Sequence, residues 1–159
     1  MELVAHGLGC ERDQRLLFEN LDLTVRAGEI LRIEGANGSG KTTLLRILCG
    51  LFNHYEGMLR WDEQPIHEVF EEYVAQLVYV GHASGIKSCL TAEENLRWLG
   101  ALRNDHAAAD SIWEALSQVG LRGYEDVLCS AMSAGQKKRV NLARLYLSAG
   151  SGNLWILDE

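Results

Sequence analysis

No C-x-x-C pair occurs among the four cysteines, Cys10, Cys49, Cys89 and Cys129. Thiols spaced so widely read as reduced and cytosolic, which argues against a disulfide framework. No apolar run approaches the length of a membrane span, so no direct membrane insertion is expected. The amino terminus lacks a basic start followed by an apolar stretch, and no leader is expected. There is no excess of basic residues: net charge is −7, which makes nucleic acid or an anionic lipid surface an unfavourable general partner. Internal repeats, low-complexity tracts and interdomain linkers are also missing. Proline occurs once in 159 residues. The scattered histidines His6, His54, His67 and His106 form no cluster and are assigned nothing.

What remains is about one domain by length, ordinary in its 47% hydrophobic content and somewhat rich in glycine with 16. Those glycines concentrate meaning at Gly35-Ala36-Asn37-Gly38-Ser39-Gly40-Lys41-Thr42-Thr43, which fits G-x-x-x-x-G-K-[ST] in full. The run follows an apolar, strand-like stretch, Ile30-Leu31-Arg32-Ile33, and opens the helix-like Leu44-Leu45-Arg46-Ile47-Leu48. Strand, glycine loop and helix in that order are the context of a phosphate-binding loop. Small residues let consecutive backbone N–H groups converge on one anion, and the helix adds its positive end. Lys41 is expected to reach the β- and γ-phosphates, and the Thr42 hydroxyl to stand on Mg²⁺.

Strands are predicted at about Glu2–Ala5, Leu16–Phe18, Leu21–Val25 and Glu29–Glu34, then a short hairpin from Gly57–Trp61 to the segment before Pro65. A helix over His67–Gln76 leads into a buried strand Leu77–Val80. Thr91 and Glu94 form a capping box at the head of Glu93–Leu102, and Ala107–Val119 has helical spacing. Ser133 reads as the N-cap of a helix from Ala134 to about Leu147. The fully apolar strand Leu154-Trp155-Ile156-Leu157 ends in Asp158-Glu159. Beside a phosphate loop, Asp158 is placed to hold Mg²⁺ and Glu159 to act as general base on water.

Met132-Ser133-Ala134-Gly135-Gln136-Lys137-Lys138-Arg139-Val140 resembles the signature of the ATP-binding-cassette ATPases, usually written Leu-Ser-Gly-Gly-Gln. The resemblance spans essentially the whole chain in family order. It implies an α/β fold of the P-loop NTPase class: a mixed sheet core, an N-terminal antiparallel β part and an inserted helical subdomain. One domain over 1–159 is expected, with 1–82 and 136–159 as nucleotide-binding core and about 83–135 as helical subdomain with the signature. It also implies ATP and Mg²⁺ as cofactors and a second copy of the chain, head to tail. Ser133, Gly135 and Gln136 of one copy would then close on ATP held by the other's loop. Arg12 falls where many cassettes place an adenine-stacking aromatic, and a solvated loop arginine is an equal reading. His82 replaces the usual glutamine; since histidine changes charge in the physiological range, activity is expected to be pH-sensitive.

Gly81-His82, Gly85-Ile86-Lys87 and Leu90-Thr91-Ala92-Glu93-Glu94-Asn95-Leu96 resemble the ATP-binding subunits of haem exporters of cytochrome c maturation. Cys10-Glu11-Arg12-Asp13, the Ala134 variant and Leu154–Glu159 resemble them too. Integral membrane permease subunits and a peripheral place on the cytoplasmic face of the inner membrane follow from that resemblance. No C-x-x-C-H occurs, so nothing in these residues points to haem itself. Another small bacterial exporter cassette and a nucleotide-binding fragment without hydrolysis stay open. The family continues past this point with a loop, a core strand and a switch histidine, so a fragment of a longer cassette is expected. Repair and chromosome ATPases are disfavoured, because no heptads separate Thr43 from Met132.

Overall fold

The computed structural model describes residues 1–82, 85–102, 107–148 and 153–158. The chain falls into two compact units, Met1–Leu77 together with Asp158, and Val78–Leu157.

In the first unit, the three short strands expected before residue 26 are two long ones, β1 (Glu2–Arg12) and β2 (Arg15–Arg26). They form one antiparallel hairpin whose turn residues, Asp13 and Gln14, have φ 52 and 60. Two positive-φ residues make a turn whose twist matches that of the strands, so the hairpin runs on without a break. β3 (Glu56–Trp61) pairs with the other edge of β1, and β4 (Gln64–Pro65) completes the order β2-β1-β3-β4.

β1 turns Leu3, Ala5, Leu8 and Cys10 inward, a spacing that strict alternation cannot give. Register shifts between Ala5 and Leu8, and Gly7 at φ 60 supplies the extra residue that restores the buried face. The Gly7 N–H donates to Asp22 Oδ1 at 2.6 Å. That bond, with His6 beside it, holds the exposed Asp22 carboxyl below its ordinary range. Opposite the bulge, a Cβ on Gly57 (φ 95) would meet the Gly7 carbonyl oxygen at 2.5 Å. Only glycine fits there.

Helix α1 (Lys41–Leu48) buries Leu44, Ile47 and Leu48 at helical spacing. Helix α2 (Phe70–Gln76) begins three residues later than expected and buries Tyr73. The Tyr73 hydroxyl donates to the Leu48 carbonyl, and its ring meets Trp61 edge-on at 5.1 Å. One side chain thereby ties the end of α1 to α2 and β3.

The strand expected over Glu29–Glu34 does not form. Ile30 is 97% exposed, and no strand among the described residues pairs with this segment. Apolar composition supplies propensity, but a strand exists only through its ladder bonds.

In the second unit, β5 (Leu77–Val80) pairs with β6 (Leu154–Leu157). β6 buries Ile156 while Trp155 and Leu157 stay exposed. Helices α3 (Ala92–Ala101), α4 (Ala109–Gln118) and α5 (Ala134–Leu147) surround a core of Leu96, Ile112, Leu116, Leu121, Val140 and Ala143. Buried Asn95 organises the approach to α3. Its Oδ1 accepts from the Lys87 N–H at 2.7 Å, and its amide donates to the carbonyls of Lys87, Leu90 and Thr91. No helix among the described residues is long and apolar enough to cross a membrane.

Candidate nucleotide site

Residues 35–40 carry no regular structure and hand over to α1 at Gly40, the N-cap, which sits left-handed at φ 93. No side chain caps this helix. The first-turn amides of α1 have no partners within the helix, and a loop of small residues leads onto them, which is the geometry that receives an anion. The loop lies close along β2: a Cβ on Gly40 would stand 3.0 Å from Leu17 Cβ and 3.2 Å from Phe18 Cδ1.

Lys41 folds its ammonium back over the loop, donating to the carbonyls of Gly35 at 2.7 Å and Ala36 at 3.0 Å. Thr42 Oγ1 donates to Asp158 Oδ1 at 3.1 Å across 116 residues of sequence. Asp158 is 9% exposed. Of the predicted site residues, the structure therefore brings together Gly35, Ala36, Lys41, Thr42 and Asp158. Asn37, Gly38 and Ser39 complete the loop, and Thr43 follows on α1.

Cys49, immediately after α1, is buried within reach of this carboxylate. Burial, and then the charge of Asp158, push its thiol up to about 12. It is a neutral core thiol.

Arg12 closes on its neighbour Asp13, Nε to Oδ2 at 3.4 Å, at the exposed hairpin turn. His82 is exposed, just after β5. Glu159 lies outside the described residues. In the second unit Ser133 is the N-cap of α5 as expected. Its Oγ accepts from the Gln136 N–H at 3.2 Å, and Gln136 Oε1 accepts from the Ser133 N–H at 2.8 Å. The Ser133-x-x-Gln136 spacing is a capping-box pattern that the sequence carries openly. Ser133, Ala134 and Gly135 are all exposed.

One further basic residue stands beside the loop. Arg15, first residue of β2, sends Nη1 to 4.0 Å from where a Cβ on Gly38 would sit. Nothing local in the sequence marks it.

The sequence pattern described as ABC transporter matches residues 18–159. The chain belongs to the ABC transporter family. It is 54% identical to the cytochrome c biogenesis ATP-binding export protein CcmA of Pseudomonas fluorescens (strain Pf0-1), over 96% of this chain and 71% of that protein. The protein of the same name from Photobacterium profundum is 47% identical, over 99% of this chain and 77% of its own length. Among solved structures, a putative ABC transporter ATP-binding protein from Pyrococcus furiosus superposes with a TM-score of 0.85 at 22% identity, covering 99% of this chain and 74% of that one. That likeness concerns the fold, and it bears out the ABC-ATPase class of α/β architecture. As a family member the chain is a nucleotide-binding ATPase subunit of a transporter complex.

Proposed function

We propose that this chain is the ATP-binding and ATP-hydrolysing subunit of an exporter that serves cytochrome c maturation by haem export. The observation that carries the reading is the 54% identity, over 96% of the chain, to a cytochrome c biogenesis ATP-binding export protein. The Gly81-His82 and Gly85-Ile86-Lys87 segments lie within it. The exporter's integral membrane permease subunits would be its partners, and the cytoplasmic face of the inner membrane its place. The domain division is core 1–82 with 136–159, and helical subdomain about 83–135.

At the site, the loop amides of Gly35–Thr43 and the Lys41 ammonium hold the phosphate tail, Lys41 leaving the Gly35 and Ala36 carbonyls to do so. Phosphoryl transfer asks little covalent chemistry of a protein, so positioning and charge stabilisation are its work. The donor set suits Mg²⁺: Thr42 hydroxyl and Asp158 carboxylate are hard oxygens 3.1 Å apart. When bound, the metal neutralises charge on the phosphate oxygens. Glu159 orients the attacking water as general base, and His82 contributes a hydrogen bond to water or phosphate. Ser133, Gly135 and Gln136 come from a second copy, head to tail, and Arg12 is the candidate for the base.

The test is Mg-ATP turnover per chain across a range of protein concentrations, with Lys41→Ala as control. Removing one preorganised charge contact is expected to lower turnover at least about 100-fold. Turnover that survives Lys41→Ala would end the catalytic reading of the loop. Co-purification with integral membrane proteins supports the transporter assignment, and ribosome association would contradict it.

A further inference from the structure

We infer that Arg15 is a second cation for the polyphosphate of the bound nucleotide, standing beside Gly38 of the phosphate loop. The inference rests on the nucleotide-binding reading above and adds a residue to that site.

Three observations carry it. The first is position: Arg15 Nη1 lies 4.0 Å from the Cβ point of Gly38, at the tip of the loop. The second is anchoring. Arg15 pairs in register with Arg12 at the end of the hairpin, and Leu17 and Phe18, two and three residues further along its strand, lie against the loop at Gly40. The strand and the loop therefore hold a fixed relation, and the backbone that carries Arg15 is placed by that contact. The third is that Arg15 makes no ion pair among the described residues. Among the described residues no carboxylate or carbonyl accepts from its guanidinium, while the neighbouring Arg12 is matched to Asp13.

Lys41, the other cation at the loop, rests on two neutral carbonyls. Two positive side chains therefore stand beside one glycine loop, and neither forms an ion pair among the described residues. An anion held at the loop is attracted by both. A guanidinium offers a planar fork of donors that matches two phosphate oxygens at once, which an ammonium cannot do. A tail with several phosphates is long enough to meet both.

The alternative for an arginine near a nucleotide is to stack on the base, and the experiment separates the two. ATP and inorganic tripolyphosphate are titrated calorimetrically into the wild-type chain and into Arg15→Gln, Arg15→Lys and Lys41→Ala. Circular dichroism checks that each exposed-site variant keeps its fold. Losing one charge-assisted contact is expected to weaken both ligands about 10-fold in Arg15→Gln. Arg15→Lys should recover part of that loss. Unchanged affinity in Arg15→Gln would overturn the inference. So would weakened ATP with unchanged tripolyphosphate, which would mean a base contact. Tripolyphosphate failing to bind a wild-type chain that binds ATP would overturn it as well. ATP binding unaffected by Lys41→Ala would instead sink the nucleotide reading of the loop itself.

Discussion

Alkaline pH should weaken this protein through one thiol, Cys49. Its side chain is buried beside Asp158, and the two effects raise its pKa from an ordinary 9.0 to about 12. The folded chain therefore keeps the proton over a range in which the unfolded chain has lost it. A group whose folded pKa is raised gives its full stabilisation below the unfolded value and loses it as pH rises through the folded one. The window is thus pH 9 to about 12. Within it each unit costs up to about 1.4 kcal/mol, the free energy of one pKa unit. From pH 9 to 10.5 the loss from this thiol alone is then about 2 kcal/mol, a large share of a typical domain's stability. Tyr73, Cys10 and Cys129, also raised by burial, push in the same direction. The comparison that isolates Cys49 is urea unfolding of wild type and Cys49→Ala under reducing conditions at pH 8, 9, 10 and 10.5. Cys49→Ala starts less stable at pH 8 because it leaves a small cavity, and the gap should close as pH rises. Two curves that fall in parallel over that range would refute the reasoning, since the thiol's proton would then be irrelevant to folding.

The bulge in β1 sets a second expectation. Gly57→Ala puts a methyl 2.5 Å from a backbone carbonyl oxygen at a φ of 95, where neither strand has a flexible atom to move aside. A loss of about 2–4 kcal/mol in denaturant unfolding is expected from left-handed strain and overpacking together, and a midpoint within error of wild type would be the contrary result. Asn95→Ala strips the Lys87 N–H of its partner and takes one of two donors from each of the carbonyls of Lys87, Leu90 and Thr91. Leaving the Lys87 N–H unpaired, with the buried amide's bonds lost, should destabilise by about 1–3 kcal/mol, with faster amide exchange at Lys87 as its local signature. Unchanged exchange there would mean Asn95 does not hold this segment.

Much of the site could be read directly. The phosphate loop, the Thr91–Glu94 box and the Ser133 N-cap are written in residues close together in sequence, because helix starts and anion-binding turns are local geometry. Asp158 is a candidate metal ligand on chemistry alone, since an acid ending an apolar strand gains meaning when a phosphate loop is also present. The contact with Thr42 at 3.1 Å is a tertiary fact.

What escaped the sequence depends on distant partners. The Glu29–Glu34 run looks like a strand and is not one here, because strand propensity needs another strand's hydrogen bonds to become structure. The hairpin read as three pieces, because the bulge at Gly7 and the positive-φ pair Asp13-Gln14 interrupt the alternation without breaking the strands. Arg15 carries no motif, and its meaning comes from the packing of β2 against the loop. Sequence by itself determined the glycine loop whose shape suits a phosphate and the residues that begin helices. Only tertiary structure decided which charges stand around that loop, because a side chain's electrostatic role is set by neighbours far away in the chain.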